Sequence, residues 1–402
     1  MTTTQVSGGP DSSRMPGWLD ELTVGWLTDA LRSTDTIDTQ TTVSEFSWDL
    51  LGDGEGFLGD LARVRLAYDG GDGPATAVVK VPTRKPENRG FGLLIKAYEN
   101  EARFYNELAA DVSVRTPANY FSAIEDNTRS SAIVERVLDL LPERVTLMLL
   151  GRLAAAAGKS DRRALVMIED LDTARIGDQV AGASLADAER ALDILAEFHA
   201  MFWNSPKLSA KWLARLDDSV LVAHGLYERA WPVFEERFRD QIQGRNREVL
   251  DAITARGPDL LRRICEGPLT LLHGDFRMDN LAFFDGADPP AGMIDFQGVV
   301  VGHPVADLAY FIRPNMDPDL ADASEDDLLE RYHAGLVRHG VSDYPLDSLR
   351  DDYELGQLWL LHRGVTLIGT LDLSHERGVQ IVDRAIERGL RVADRHRPDR
   401  WF

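Results

Sequence analysis

The chain has 402 residues, 44% of them hydrophobic and 27% charged, and its 66 acidic against 44 basic side chains give a formal net charge of −22. That length predicts two or three domains or one large two-lobed one, with cores that need no disulfide or metal staple. The acidity argues against a nucleic acid or an anionic membrane surface as partner, since both call for clustered Lys and Arg and no dense basic run occurs. The single cysteine, Cys265, allows no intramolecular disulfide and fits a reducing compartment. No stretch reaches the roughly 18–20 uncharged apolar residues of a membrane span, and no basic-then-apolar leader opens the sequence, so cytoplasm is the default expectation.

Residues 1–16, rich in Thr, Ser, Gly and Pro, are expected to be disordered. Trp18, Leu19, Leu22, Trp26, Leu27 and Leu31 form one apolar face and predict a helix over 17–32. Alternation at Phe46, Trp48 and Leu50 predicts a strand. Leu61–Tyr68 and Thr76–Val81, separated by a Gly-rich turn, predict a hairpin. Residues 91–110 read as a helix carrying Glu99, Glu101 and Glu107. The segment 127–163 is apolar and basic, with seven Arg and Lys against four acids, and predicts an amphipathic helical insertion, either packed on its own lobe or serving as a lid or partner surface.

Ala164–Ile168 is a short buried-strand run, after which the apolar period becomes helical. Residues 185–203 form a helix with Ser184 and Asp187 as a capping pair. Residues 211–266 are mostly helical. Leu269–Phe284 and Ala291–Phe296 read as short strands around a loop, and 305–314, 324–339 and 349–395 as helices, with Ser324 and the acids Glu325–Asp327 at a helix N-terminus. A β-rich part followed by a helical part implies two lobes meeting near residues 168–172.

The chemistry concentrates in His273-Gly-Asp-Phe-Arg-Met-Asp-Asn280 and Met293-Ile-Asp-Phe-Gln297. Asp275, in a loop after a strand, can accept a hydroxyl proton. The amide oxygen of Asn280 and the carboxylate of Asp295 can hold a hard divalent cation such as Mg²⁺, on which a phosphoryl group is bound for transfer. Taken singly, each of these residues also suits a turn; together they form a pattern that turns alone do not explain.

The stretch His-Gly-Asp-x-x-x-x-Asn followed by Ile-Asp-Phe resembles the catalytic loop and metal-binding segment of the aminoglycoside phosphotransferase and choline kinase superfamily, itself similar to the protein-kinase set. With Gly302-His-Pro-Val-Ala-Asp-Leu-Ala-Tyr-Phe311 it looks nearest the ecdysteroid-kinase-like group and the phosphotransferases found beside acyl-CoA dehydrogenases. The resemblance spans roughly residues 45–375 and implies an α+β, protein-kinase-like two-lobed fold. The small β-rich N-lobe would be 17–168, with the insertion near 127–163, and the larger mainly helical C-lobe 169–402. It also implies ATP and Mg²⁺ as cofactors. Asp275 would orient or deprotonate the acceptor, Asn280 and Asp295 would bind the metal, and Arg277 would touch the transferring phosphate or pair with Asp279. His273 and Asp307 would be architectural, while the role of Gln297 stays open.

In the first lobe, Lys80 in Ala-Val-Val-Lys-Val resembles the phosphate-binding lysine of the kinase strand. A lysine in an apolar strand calls for a partner, and the resemblance, which implies a Glu about two residues before Phe-Tyr, favours Glu101 over Glu99. Gly54 and Gly56 sit in a Gly-rich stretch that can cover phosphates with backbone N–H groups. The run from Met167 through Ile168, Glu169 and Asp170 to Leu171 resembles the hinge whose backbone meets adenine. The acceptor is expected to be a small molecule with a hydroxyl, neutral, lipophilic or cationic, with Trp203, Trp359 and Tyr310 as candidate pocket aromatics. Residues 1–168 hold 24 acids and 18 bases (−6) and residues 169–402 hold 42 and 26 (−16), so the acidity lies with the acceptor-binding part. The alternatives are a nucleotide-binding pseudoenzyme or scaffold of the same fold, which retention of Lys80, Asp275, Asn280 and Asp295 argues against, and a metal-dependent hydrolase, which calls for further metal ligands.

Overall fold

The structure, a computed structural model, describes residues 14–51, 58–125, 142–370, 376–391, 393, 400 and 401. It divides into two units, Met1–Asp111 with Thr116–Pro142 and Met148–Asp172, and Val112–Arg115 with Glu143–Leu147 and Thr173–Phe402.

The first unit is built on a five-stranded antiparallel sheet of β1 (Thr42–Leu50), β2 (Gly59–Asp69), β3 (Thr76–Pro82), β4 (Asn119–Ile124) and β5 (Ala164–Glu169), in the order β1-β2-β3-β5-β4. Alternation decides its faces. Ala62, Val64 and Leu66 are buried while Arg63 and Arg65 are not, as a period of two requires. Helix α1 (Val24–Ser33) covers one face, where Trp26, Leu27 and Leu31 cluster with Val64, Val79, Val81 and Met167. The helix expected over 17–32 is shorter, because Thr23 accepts from the Trp26 amide (3.1 Å) and caps a fresh start after a single turn at Leu19–Glu21. Ala77, Val79 and Val81 point towards α1, so Lys80 points to the other face.

That other face meets α2 (Pro86–Leu94) and α3 (Ala97–Arg103), where Ala97 and Tyr98 cluster with Leu58 and Ala164. The helix expected over 91–110 is interrupted at Lys96, whose φ of 58° is left-handed. It then runs on through a wide turn at Phe104–Leu108. Of the expected insertion, residues 127–141 lie outside the described residues, and α4 (Glu143–Ala157) is helical.

The second unit is mainly helical: α5 (Leu185–Met201), α6 (Val220–Arg237), α7 (Arg245–Arg263), α8 (Val305–Asn315), α9 (Pro318–Arg338), α10 (Leu346–Thr370) and α11 (Glu376–Leu390). Two small ladders are set into it. One pairs β7 (Thr270–Leu272) with β10 (Val300–Gly302), and the other joins β6 (Arg175–Ile176), β8 (Leu281–Phe283) and β9 (Ala291–Met293). Ser184 caps α5 by accepting from the Asp187 amide (3.1 Å), while the Asp187 carboxylate pairs with Arg175 (2.7 Å).

Helix α9 starts well before the N-terminus expected at Ser324. Pro318 needs no amide partner at the first position, and Asp317 accepts from the Asp319 and Leu320 amides (3.0 and 3.2 Å). Ser324 lies inside the helix and donates to Leu320 O (2.6 Å). Glu325 turns inward to the buried Arg313 guanidinium (2.6 Å), which Asp322 also meets. Among the described residues no helix is long and apolar enough to cross a membrane.

Candidate active site

The candidate residues fall into two groups, one in each unit. In the second unit β7 delivers the chain into His273-Gly274-Asp275. Asp307, in the first turn of α8, accepts from the His273 amide (2.6 Å) and the Gly274 amide (3.0 Å) with its two oxygens, so one carboxylate fixes the loop's entry. Gly274 has φ +75°, and a Cβ there would stand 1.9 Å from Gly298 O, so no other residue fits without moving backbone. The buried His273 ring lies beside Phe296 (5.1 Å between centroids), and its Nε2 is 3.0 Å from Ile294 O. Its work is to tie the two motif segments together.

Asp275 is surrounded by donors. Oδ1 accepts from the Tyr310 hydroxyl (2.9 Å), and Oδ2 from Asn280 Nδ2 (2.9 Å) and Arg277 Nε (3.2 Å). Burial by itself raises the carboxyl, but the Arg277 and Arg363 guanidiniums, His273 and the Tyr310 hydroxyl outweigh it and hold it down at about 2. Tyr310 is pushed above its usual range by burial and by the Asp275 carboxylate, so it stays a donor. Arg277 also pairs with Asp279 (2.6 Å), and both are tied to Gln179: Arg277 donates to its Oε1 (3.4 Å) and Asp279 accepts from its amide (2.9 Å). The ion pair with Asp279, one of the two roles weighed for Arg277, is formed.

Ladder register places Asn280 next to the segment that carries Asp295. Leu281 faces Met293 across β8 and β9, so the next step out sets Asn280 beside Ile294, and the Ile294 amide donates to Asn280 O (3.0 Å). Both Nδ2 protons of Asn280 go to Asp275, to its main-chain oxygen (2.8 Å) and Oδ2, which leaves the amide oxygen as the group turned elsewhere. By their chemistry the Asn280 amide oxygen and the Asp295 carboxylate would offer an oxygen-only, incomplete donor set. Such a set fits a hard cation that keeps water and takes its remaining ligands from phosphate. Among the described residues no three His, Cys, Asp or Glu side chains converge at metal-binding distance, so the hydrolase alternative gains no support there.

In the first unit Lys80 Nζ is 2.8 Å from Glu101 Oε2, and both side chains are buried. Glu99, the rival partner, bonds Arg103 (2.9 Å) and lies 3.6 Å from Arg162. Met167 and Ile168 lie in β5, between β3 and β4, so their backbone is flanked by ladders on both edges, and the Met167 side chain is in the core. The Glu169 amide donates to Ala118 O (2.9 Å) and its carboxylate accepts from the Ala118 amide (3.0 Å). Of the run expected to meet adenine, Met167 and Ile168 are thus inside the sheet and Glu169 is the last residue of β5. Gly54 and Gly56 lie outside the described residues.

Two side chains escaped the sequence reading. Tyr310, taken there only as a pocket aromatic, bonds the Asp275 carboxylate; its spacing of three from Asp307, one helical turn, could have shown that both face the loop. Arg363 on α10 donates to Gly274 O (3.1 Å) and lies over the rings of Tyr310 (5.1 Å) and Trp359 (5.5 Å), with nothing in its local sequence to mark it. Trp203 instead packs on Tyr344 (5.3 Å).

The profile of the ecdysteroid kinase-like family matches residues 53–341. The chain belongs to this family. It is thereby a kinase-like small-molecule phosphotransferase. Among solved structures it is similar to a Ralstonia eutropha JMP134 protein provisionally assigned as an aminoglycoside phosphotransferase, with a TM-score of 0.52 and 15% identity over 92% of this chain and 99% of that one. It is also similar to choline kinase from Cryptosporidium parvum Iowa II, with a TM-score of 0.51 and 10% identity over 92% and 96%. At these identities the likeness shows the fold, which is protein-kinase-like. No curated protein matches the chain.

Proposed function

We propose that this family member transfers the γ-phosphate of ATP to a hydroxyl group of a small molecule, with Mg²⁺ bound by Asn280 and Asp295. The observation that carries the reading is Asp275, a carboxylate met by three donors, Tyr310, Asn280 and Arg277, in a loop whose entry Asp307 fixes. Bound Mg²⁺ supplies charge neutralisation for the phosphates.

The residues' own parts follow from their surroundings. Lys80, held by Glu101, keeps a fixed positive charge for phosphate oxygens. Asp275, held near 2, is a weak base; it orients the acceptor hydroxyl and takes its proton late, which suffices for a loose phosphoryl-transfer transition state. Arg277 keeps the Asp275 and Asp279 carboxylates in place. The backbone at the end of β5, through Glu169 and on to Leu171, would meet the adenine edge.

The test is ADP release by the purified full chain with Mg²⁺-ATP and a panel of sterols, hydroxy acids, amino alcohols and aminoglycosides. Release that needs an acceptor and stops with a chelator supports the reading. Nucleotide binding with no acceptor-dependent release across the panel favours the scaffold alternative.

A further inference from the structure

The turn that carries Asn280 has no cap of its own. Met278–Asn280 is a single tight helical turn, closed by the Asn280 amide on Arg277 O (2.9 Å), and Arg277 ahead of it supplies no side-chain acceptor. The opening amide of such a turn needs a partner from elsewhere, since a buried N–H without one costs free energy. That partner comes from α8. The side-chain oxygen of Asn315, the last residue of the helix, accepts from the buried Met278 amide (2.9 Å).

The same side chain finishes the helix. Pro314 has no N–H, so the carbonyl of Tyr310, four residues back, loses its helical donor. Asn315 Nδ2 donates to Tyr310 O (3.2 Å) and to Phe311 O (2.9 Å). Asn315 is fully buried, and its main-chain oxygen accepts from the Ala183 amide (2.6 Å). With carbonyls on one side and an N–H on the other, the amide has one satisfied orientation. An aliphatic side chain of similar size would strip the Met278 amide of its acceptor.

Helix α8 thus reaches the catalytic loop at three points. Asp307 holds its entry, Tyr310 meets Asp275, and Asn315 holds the start of the Asn280 turn. Both Nδ2 protons of Asn280 go to Asp275, so the direction of its amide oxygen follows from where that turn begins. We propose that Asn315 is a positioning residue of the metal site: through Met278 it sets the turn on which Asn280 presents its amide oxygen to Mg²⁺. Asn315 acts through the loop and is not itself a ligand. This rests on the reading of Asn280 as a metal ligand.

The test titrates Mg²⁺ into the purified full chain with the β,γ-imido analogue of ATP, which binds without turnover, and follows nucleotide affinity by calorimetry, with urea denaturation alongside. The wild type should hold the analogue more tightly as Mg²⁺ rises. Asn315→Leu should raise the half-saturating Mg²⁺ about ten- to a hundredfold, the range for residues that orient a metal ligand, while affinity in chelator stays within about twofold. Arg388→Met removes the bond on Pro314 O (2.6 Å) and loosens the same helix end without touching Met278, so it should lower stability and leave the Mg²⁺ midpoint in place. Asn315→Asp keeps an acceptor for the Met278 amide and should hold the midpoint within about threefold, which keeps the inference open to refutation if Asn315→Leu does not fold. A folded Asn315→Leu with the wild-type midpoint overturns the inference. So does Asn315→Leu weakening the analogue alike with Mg²⁺ and in chelator, or either of the other variants moving the midpoint tenfold. A wild type whose affinity ignores Mg²⁺ refutes the metal reading itself, and the inference with it.

Discussion

Replacing Asp275 by Asn changes one charge and almost no volume, so its effects can be worked through atom by atom. Both carboxylate oxygens now receive donors, and the introduced amide nitrogen must face one of them. Asn280 Nδ2 and Arg277 Nε cannot accept a hydrogen bond, but the Tyr310 hydroxyl can rotate to do so, so the nitrogen turns to Tyr310 and the fold survives. What is lost is the attraction of Arg277 and Arg363, which carries the carboxyl from an ordinary 3.8 to about 2 against the opposing effect of burial. A depressed carboxyl stabilises the fold fully above 3.8 and loses that contribution as pH falls through 2, so all of it is present at pH 7. With the side chain 21% exposed, solvent screening brings the loss to about 1–2 kcal/mol. Turnover should fall about 10²–10⁴-fold, since the amide takes no proton and misorients the acceptor hydroxyl. Nucleotide affinity should stay within about twofold, because Lys80 and Asp295 are untouched. Coupled ADP release with an acceptor the wild type turns over, alongside urea denaturation, measures both effects. A folded variant retaining more than a tenth of wild-type turnover would refute the assignment of Asp275.

Three further perturbations address other parts of the molecule. Lys80→Met removes the ion-pair partner of a buried glutamate and should cost about 3–5 kcal/mol; adding Glu101→Leu should restore stability but not turnover, and recovery of both in the double variant would make the pair purely structural. Gly274→Ala forces a Cβ to within 1.9 Å of Gly298 O at a positive φ, and denaturation should show a loss above about 3 kcal/mol; a loss below about 1 kcal/mol would mean that the loop relaxes freely. His362, stacked on Tyr227 (4.7 Å) and 3.3 Å from His224 Nδ1, is depressed to about 3 by burial. It must stay neutral in the folded state, so stability is complete above 6.5 and declines below it, by about 2 kcal/mol between pH 7.5 and 5. His362→Phe should flatten that slope, and an unchanged slope would remove His362 from the account.

The sheet strands were legible because period-two alternation survives local noise, as Ala62, Val64 and Leu66 against Arg63 and Arg65 show. That Lys80 needs a partner was legible from its apolar strand, whereas the choice of Glu101 over Glu99 came from the family resemblance. Helix starts were less so: Ser324 with three acids after it carries the signs of an N-terminus, yet Asp317 and Pro318 supply a better one and leave Ser324 to bond Leu320 O. The end of β5 shows a related effect. The apolar run Ala164–Ile168 continues into Glu169, whose backbone is still engaged with Ala118, so the strand reaches further than its composition suggests. Arg363 could not be read at all, because its meaning depends on a loop residue, Gly274, brought to it only by folding.

The charge of −22 illustrates the same limit. By count the second part of the chain is strongly acidic, which inclines the sequence reading towards cationic acceptors. The acidic run from Asp317 to Glu330 is instead largely matched by arginines: Asp319 and Asp322 by Arg391, Asp322 and Glu325 by Arg313, Asp326 and Glu330 by Arg350. Exposed acids more than about 8 Å from a bound ligand are screened at physiological salt, so the field at the catalytic loop is set by the groups nearest it. There the Asp275 carboxylate is met by the Arg277 and Arg363 guanidiniums, His273 and the Tyr310 hydroxyl. Net charge therefore bears on solubility and on which macromolecules approach, and says little about the charge of the small molecule that binds.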